Sequence, residues 1–362
     1  MIISGIDTAV PLKFDFNDIL IIPAEKSVIN SRYGNITLPT NLPLITAPMD
    51  TVVNISNAHI FKSCGINVAF PRTIKYGEAL VKWFASNTVN NDAYVSFGFE
   101  DIEHFSKNKF YDIHENARIL IDVANGHLQR VIDYSRRIKK YRPDITIMAG
   151  NIANPETYRW YSEEGCIDEA RVSIGSGNGC LTSKQLSVGY PLASLIFEIN
   201  QIKKRLMQDS SKQHKIPKIV ADGGMKNYSD IILALALGAD KVMIGSIFNK
   251  SLESCANNYL YGVKINNKLA AYLFDRGFPI KKYFRGMSTK EAQIAMGRIN
   301  LKTSEGVVRF RNVEYHLDGW VENFEHYLRS AMSYANAKTL NEFIGKVNFC
   351  QITKSAHDRF NK

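Results

Sequence analysis

Arg171-Val-Ser-Ile174-Gly-Ser-Gly-Asn-Gly-Cys180-Leu-Thr-Ser-Lys184 is a short β-branched run, a turn with three glycines, and a cysteine where the turn ends. Glycines at 175, 177 and 179 permit positive φ and close approach of backbone to a ligand. They cost conformational entropy that a plain strand-to-helix link avoids, so the run reads as a strand and the turn as a binding loop. A thiol on such a loop is placed for chemistry on something small. The competing reading is a buried cysteine acting as a small hydrophobe. The same unit recurs along the chain, with runs at 42–46, 67–70, 94–97, 118–123, 145–149, 171–174, 218–221 and 241–244. Each is followed by an amphipathic or capped segment. Eight such alternations with no second periodicity predict an α/β protein, a (β/α)8 TIM barrel rather than an open sheet.

Polar and glycine signals sit just after these runs, where a barrel carries its active site. The fourth ends in Asp122-Val123-Ala124-Asn-Gly126, the fifth in Ala149-Gly150-Asn151, and the sixth enters the cysteine loop. Asp222-Gly223-Gly224 follows the seventh and Gly245-Ser246 the eighth, the usual phosphate-cradling pair of loops. A helix is expected over 127–139, another begins at the Asn154-Pro155 cap, and 320–334 reads as an outer helix. An excursion with a flap spans about 249–315, with a hairpin expected at 263–269.

With 45% hydrophobic and 22% charged residues, the composition is that of a globular protein with a sizeable core. No apolar run is long enough to span a bilayer, and the start lacks a secretory signal pattern. Five scattered cysteines without a CxxC pair argue for a reducing, cytoplasmic setting and against structural zinc. The net charge of +10 is spread in small groups, which suits anionic small molecules and gives no nucleic-acid motif.

These motifs together resemble the IMP dehydrogenase and GMP reductase family over nearly the whole chain. The resemblance is carried by Phe14–Pro23, Thr46-Ala-Pro-Met-Asp50, Gly175–Thr182, Asp222–Gly224, Gly245-Ser246 and Gly286-Met287-Ser288. Only about twenty residues separate the second and third runs, leaving no room for the regulatory pair that dehydrogenases insert there. Between Met287 and Glu305 there is also no Arg-Tyr pair. Ser31-Arg32, Asp122–Gly126 and Ser304-Glu305-Gly306 are similar to the reductase branch. The whole of 1–362 is therefore expected to be one barrel domain. Departures from the family pattern are Ser176, Asn178 and Ser183 around the cysteine loop, Arg72 in place of a lysine, and Lys302 in place of an arginine.

The resemblance implies a reductive deamination of GMP to IMP and ammonia. Cys180 is the expected nucleophile, with Thr182 and Glu305 as the proton-transfer pair. Asp222, Gly223, Gly224, Gly245, Ser246, Gly286, Met287, Ser288, Lys302, Ser304 and Gly306 would hold the nucleotide. NADPH would meet Arg72, Asp122, Val123 and Ala124, and its adenosine end Ser31, Arg32, Ser333 and Tyr334, partly across subunits of a homotetramer. A potassium ion would sit on the backbone of Gly175, Gly177 and Cys180. Oxidation of IMP to XMP, or a purine-nucleotide-binding barrel without turnover, are the competing readings.

Overall fold

The computed structural model describes residues 11–86, 93–177, 181–209, 215–297, 300–301, 303 and 306–360. Strand β1, Ile19–Ile21, leads into the barrel strands β2 Leu44–Thr46, β3 Ala69–Phe70, β4 Tyr94–Phe97 and β5 Arg118–Asp122. They continue as β6 Thr146–Ile152, β7 Glu169–Val172, β8 Lys218–Asp222 and β9 Lys241–Ile244. All eight pair in parallel in the order β2-β9-β8-β7-β6-β5-β4-β3. A parallel bridge between Ile45 and Asn67, with Thr46 N donating to Asn67 O at 2.9 Å, joins the two edges. The expected barrel is therefore the observed one.

Strand side chains alternate between faces, and this alternation builds the barrel interior. Ile45, Ala69, Tyr94, Leu120, Met148, Val220 and Met243 form one inner apolar cluster. Their neighbours Leu44, Val95, Ile119, Ile121, Ile147, Ile219 and Val242 pack outward in the main core. Below the inner cluster, first residues of four strands meet as a charged floor. Tyr94 Oη donates to Glu169 Oε2 at 2.8 Å and Lys241 Nζ to Glu169 Oε1 at 2.9 Å. Lys241 Nζ and Arg118 Nη1 both donate to Tyr94 Oη, at 2.9 and 3.1 Å.

Two expectations are corrected. The sixth barrel strand is Glu169–Val172, not 171–174, because Glu169 and Ala170 pair with Met148 and Ala149. A buried glutamate is not an apolar signal, and the partners that make it acceptable lie 72 and 75 residues away. The hairpin is also earlier than expected. Strands β10 Asn258–Leu260 and β11 Val263–Ile265 turn at Tyr261-Gly262, with φ of 49° and 86°. A two-residue hairpin turn of this kind needs positive φ at both positions. Asn266 instead caps the helix Asn267–Phe274, its side chain accepting from Leu269 N at 2.9 Å.

β12 Lys281–Arg285 and β13 Val308–Asn312 complete an antiparallel sheet in the order β11-β10-β12-β13. β14, Phe349–Gln351, pairs with β1. Lys282 anchors the four-stranded sheet: its buried ammonium donates to the carbonyls of Leu252 at 2.9 Å and Ser254 at 2.7 Å. The outer helix expected over 320–334 spans Leu317–Tyr334, and Trp320 stacks on Tyr228 with ring centroids 5.1 Å apart. Asn154 caps the helix Pro155–Glu164 as expected. Among the described residues, no helix is long and apolar enough to cross a membrane.

Candidate active site

The C-terminal ends of the barrel strands open into a cavity of about 490 Å³. Alternation aims Asp122, Arg171 and Asp222 into it from β5, β7 and β8, and Asn151 joins from β6. Val123 and Ala124 continue the wall beyond Asp122. Gly223 and Gly224 adopt φ of 71° and 84°, and the Asp222–Gly224 turn packs against the loop after β7. A Cβ on Gly224 would lie 3.1 Å from Ser176 Cβ, so a side chain there would push the two loops apart. Gly245 and Ser246 follow β9 on the same rim.

Opposite them, Gly286, Met287 and Ser288 hang over the cavity from the end of β12. An ion pair between Arg285 and Asp50 fixes that end to the loop after β2. Gly306 does not line the cavity; it backs Ser288 and Thr289, where a Cβ would come within 3.0 Å of Ser288 Oγ. Arg72 lines the wall with its buried Nε lacking a partner among the described residues. Gly175, Gly177 and Thr182 supply the rest of the loop side. The Gly175 carbonyl accepts from Ser183 Oγ at 2.9 Å. Cys180, Lys302, Ser304 and Glu305 lie outside the described residues.

Ser31, Arg32, Ser333 and Tyr334 are not on the cavity wall. They gather elsewhere, where the N-terminal segment crosses the last long helix: Arg32 bonds to Ser330, Ser27 Oγ donates to Ser333 O at 2.9 Å, and Ala24 N to Tyr334 O at 2.8 Å.

Arg171 and Asn151 stand out among the wall residues to which the sequence assigned no binding role. Arg171 is 7% exposed and pairs with Asp122 at 2.5 Å and with Asp222 at 2.9 Å. Burial acts to lower its pKa, but the two facing carboxylates outweigh burial and raise it. Asn151 Nδ2 donates to Asp222 Oδ2 at 2.8 Å. Arg171 is the first residue of the quoted stretch, and only its place in the barrel shows that it faces inward. No cluster of three or more His, Cys, Asp or Glu side chains suited to a metal occurs among the described residues. The wall thus combines backbone N–H groups, two carboxylates presenting acceptors, and a guanidinium, a set suited to a phosphorylated, hydroxylated ligand.

The chain is 27% identical over 365 residues to the GMP reductase of Caenorhabditis elegans, covering 96% of this chain and 94% of that protein. It is 27% identical over 369 residues to the GMP reductase of Buchnera aphidicola subsp. Acyrthosiphon pisum, covering 97% of each. The inosine-5'-monophosphate dehydrogenase of Chlorobaculum tepidum is 31% identical over 237 residues, covering 66% of this chain and 45% of that protein. A family model described as the IMP dehydrogenase / GMP reductase domain matches residues 107–359. With that match spanning β5 to β14 and most of the cavity wall, the chain belongs to the IMP dehydrogenase / GMP reductase family.

Proposed function

We propose that the chain is an oxidoreductase acting on purine nucleotides, and that its reaction is the NADPH-dependent reductive deamination of GMP to IMP and ammonia. The observation that carries this reading is one cavity lined by Asp122, Thr182, Asp222 and the glycine loops, in a chain alignable end to end with proteins named GMP reductase. Backbone N–H groups of Gly223, Gly224, Gly245 and Ser246 would take the phosphate, and Asp222 the ribose hydroxyls. Gly286, Met287 and Ser288 would cover the base, with Lys302, Ser304 and Gly306 completing the flap.

The Cys180 thiolate adds to the electrophilic C2 of guanine, and glycine-loop N–H groups favour that thiolate. Thr182 and Glu305 pass a proton to the exocyclic amine, which leaves as ammonia while C2 stays bonded to sulfur. When bound, the reduced nicotinamide supplies the hydride that C2 then receives. Breaking the C2–S bond returns the thiolate and releases IMP. Asp122 and the Nε of Arg72, which has no partner among the described residues, are groups fitted to hold such a cofactor's hydroxyls and polar oxygens. Of the carbonyls that a potassium ion would use, that of Gly175 accepts from Ser183 Oγ and keeps its second lone pair, while Cys180 lies outside the described residues. No step above uses one.

The cluster of Ser31, Arg32, Ser333 and Tyr334 supports a further part of the reading, in which it serves the adenosine end of NADPH bound by a neighbouring subunit of a homotetramer. The cytoplasm is the compartment that fits this chemistry. The test is consumption of NADPH on addition of GMP, with Cys180→Ala as control. Loss of reduced nicotinamide that needs both GMP and Cys180 is expected. The 31% identity to a dehydrogenase supports a second reading. Formation of reduced nicotinamide from IMP and NAD would favour it, and nucleotide binding without either activity would favour a non-catalytic barrel.

A further inference from the structure

A buried guanidinium lies between two carboxylates that the proposed function gives to different ligands. We propose that Arg171 is a positioning residue that couples the nucleotide half of the site, at Asp222, to the cofactor half, at Asp122. The inference rests on that reading of the two aspartates.

Asp122 stands at the end of β5 and Asp222 at the end of β8, with β6 and β7 between them. Two partly buried carboxylates on one wall repel unless a cation lies between them. Arg171 supplies it, with Nη1 on Asp122 Oδ1 and Nη2 on Asp222 Oδ2. The guanidinium is a rigid planar fork, so a shift of one carboxylate turns the donor that holds the other. Lysine carries the same charge at a single point and cannot transmit such a turn.

The surroundings confine the fork. Gly150 lies beside Arg171, and a Cβ there would stand 2.6 Å from Arg171 Cβ and collide with its carbonyl oxygen. Asn151 holds the same Asp222 oxygen that Arg171 holds, at 2.8 Å. Asp122 Oδ2 and Asp222 Oδ1 have no hydrogen-bond partner among the described residues, which leaves each carboxylate an acceptor for ligand hydroxyls. Arg171 Nε is buried and also without a partner among the described residues. An under-satisfied buried donor means that the network has bonding left to complete. Hydroxyls arriving at Asp222 order the fork, and through it Asp122. The second ligand then meets a carboxylate already ordered and loses less entropy on binding.

The test uses IMP and NADPH, a pair with no hydride acceptor, so binding is read without turnover. Calorimetry of the full chain measures the Kd of IMP with and without saturating NADPH. In the unmodified protein NADPH is expected to tighten IMP by about fivefold or more, a usual size for linked sites. Arg171→Lys and Arg171→Gln are expected to reduce that factor to about one, the lysine variant doing so with its charge kept. Asp122→Asn, which leaves Asp222 as the one charged partner of Arg171 on this wall, is expected to weaken IMP by about fivefold even with no NADPH present. The inference is overturned if the unmodified protein shows no tightening. It is equally overturned if folded Arg171→Lys keeps it, or if Asp122→Asn binds IMP unchanged. A protein that binds no IMP at all fails differently: that result removes the proposed function itself.

Discussion

At the residue scale, the two positions most exposed to a single change are ones whose surroundings leave no slack. Lys282 is fully buried, its ammonium held by main-chain carbonyls rather than a carboxylate, and burial pulls its pKa down to about 8. Lys282→Ala removes the donor from those carbonyls and opens a cavity. A loss of about 2–5 kcal/mol is expected from a urea midpoint at unchanged m-value. Gly150→Ala places a methyl group against Arg171 Cβ at 2.6 Å and against its carbonyl oxygen. Overpacking of this kind costs about 1–3 kcal/mol. Because the clash falls on Arg171, nucleotide KM should rise as well, and steady-state kinetics would show it. Gly150 was visible in the sequence only as part of a strand-end turn. Its reason, the backbone of the next strand, was not.

At the element scale, the helix Asn267–Phe274 is tied to the rest of the molecule through His316. The imidazole Nδ1 lies 2.9 Å from Glu253 and Nε2 2.9 Å from Asp275, and both contacts are satisfied as donors only by the imidazolium. Burial acts to lower its pKa, and the hydrogen bonds to Asp275 and Glu253 outweigh it and raise the pKa above 6.5. A raised folded pKa means that this contribution is fully present below the unfolded value and is lost as pH rises through the folded one. The melting temperature of the unmodified protein should therefore exceed that of His316→Gln most below about pH 6.5, and the gap should narrow as pH rises above it. An unchanged gap as pH rises would remove the latch. The excursion as an interruption was legible from the sequence. Its hairpin was misplaced because Asn266-Asn267 carries a turn signal that here starts a helix, while Tyr261 gives no hint of its positive φ.

At the scale of the whole molecule, the floor of charged strand beginnings closes the barrel opposite the cavity. Glu169→Gln leaves the Lys241 ammonium without its counter-charge, and breaking a buried pair this way costs about 3–5 kcal/mol. If residues 1–362 form the single domain proposed from the sequence, that loss should appear as a shift of one cooperative unfolding transition, with fluorescence and circular dichroism coinciding. Two separated transitions would argue for independent units.

The eight barrel strands and the rim carrying the polar loops were readable from the sequence, because short β-branched or apolar runs and glycine turns are local signals. Asp122, Asp222, Gly223, Gly224 and Gly245 were readable for the same reason, since each stands at or just after the end of such a run. The function of Arg171, Glu169 and Lys241 was not readable from the sequence. Each is a charged residue inside a strand, acceptable only because partners from other strands neutralise it in the barrel interior. Local patterning by itself determined where the chain turns and which ends carry chemistry. Closure of the barrel alone decided which charges meet, because ion pairing at 2.5–2.9 Å depends on distance in space and not along the chain.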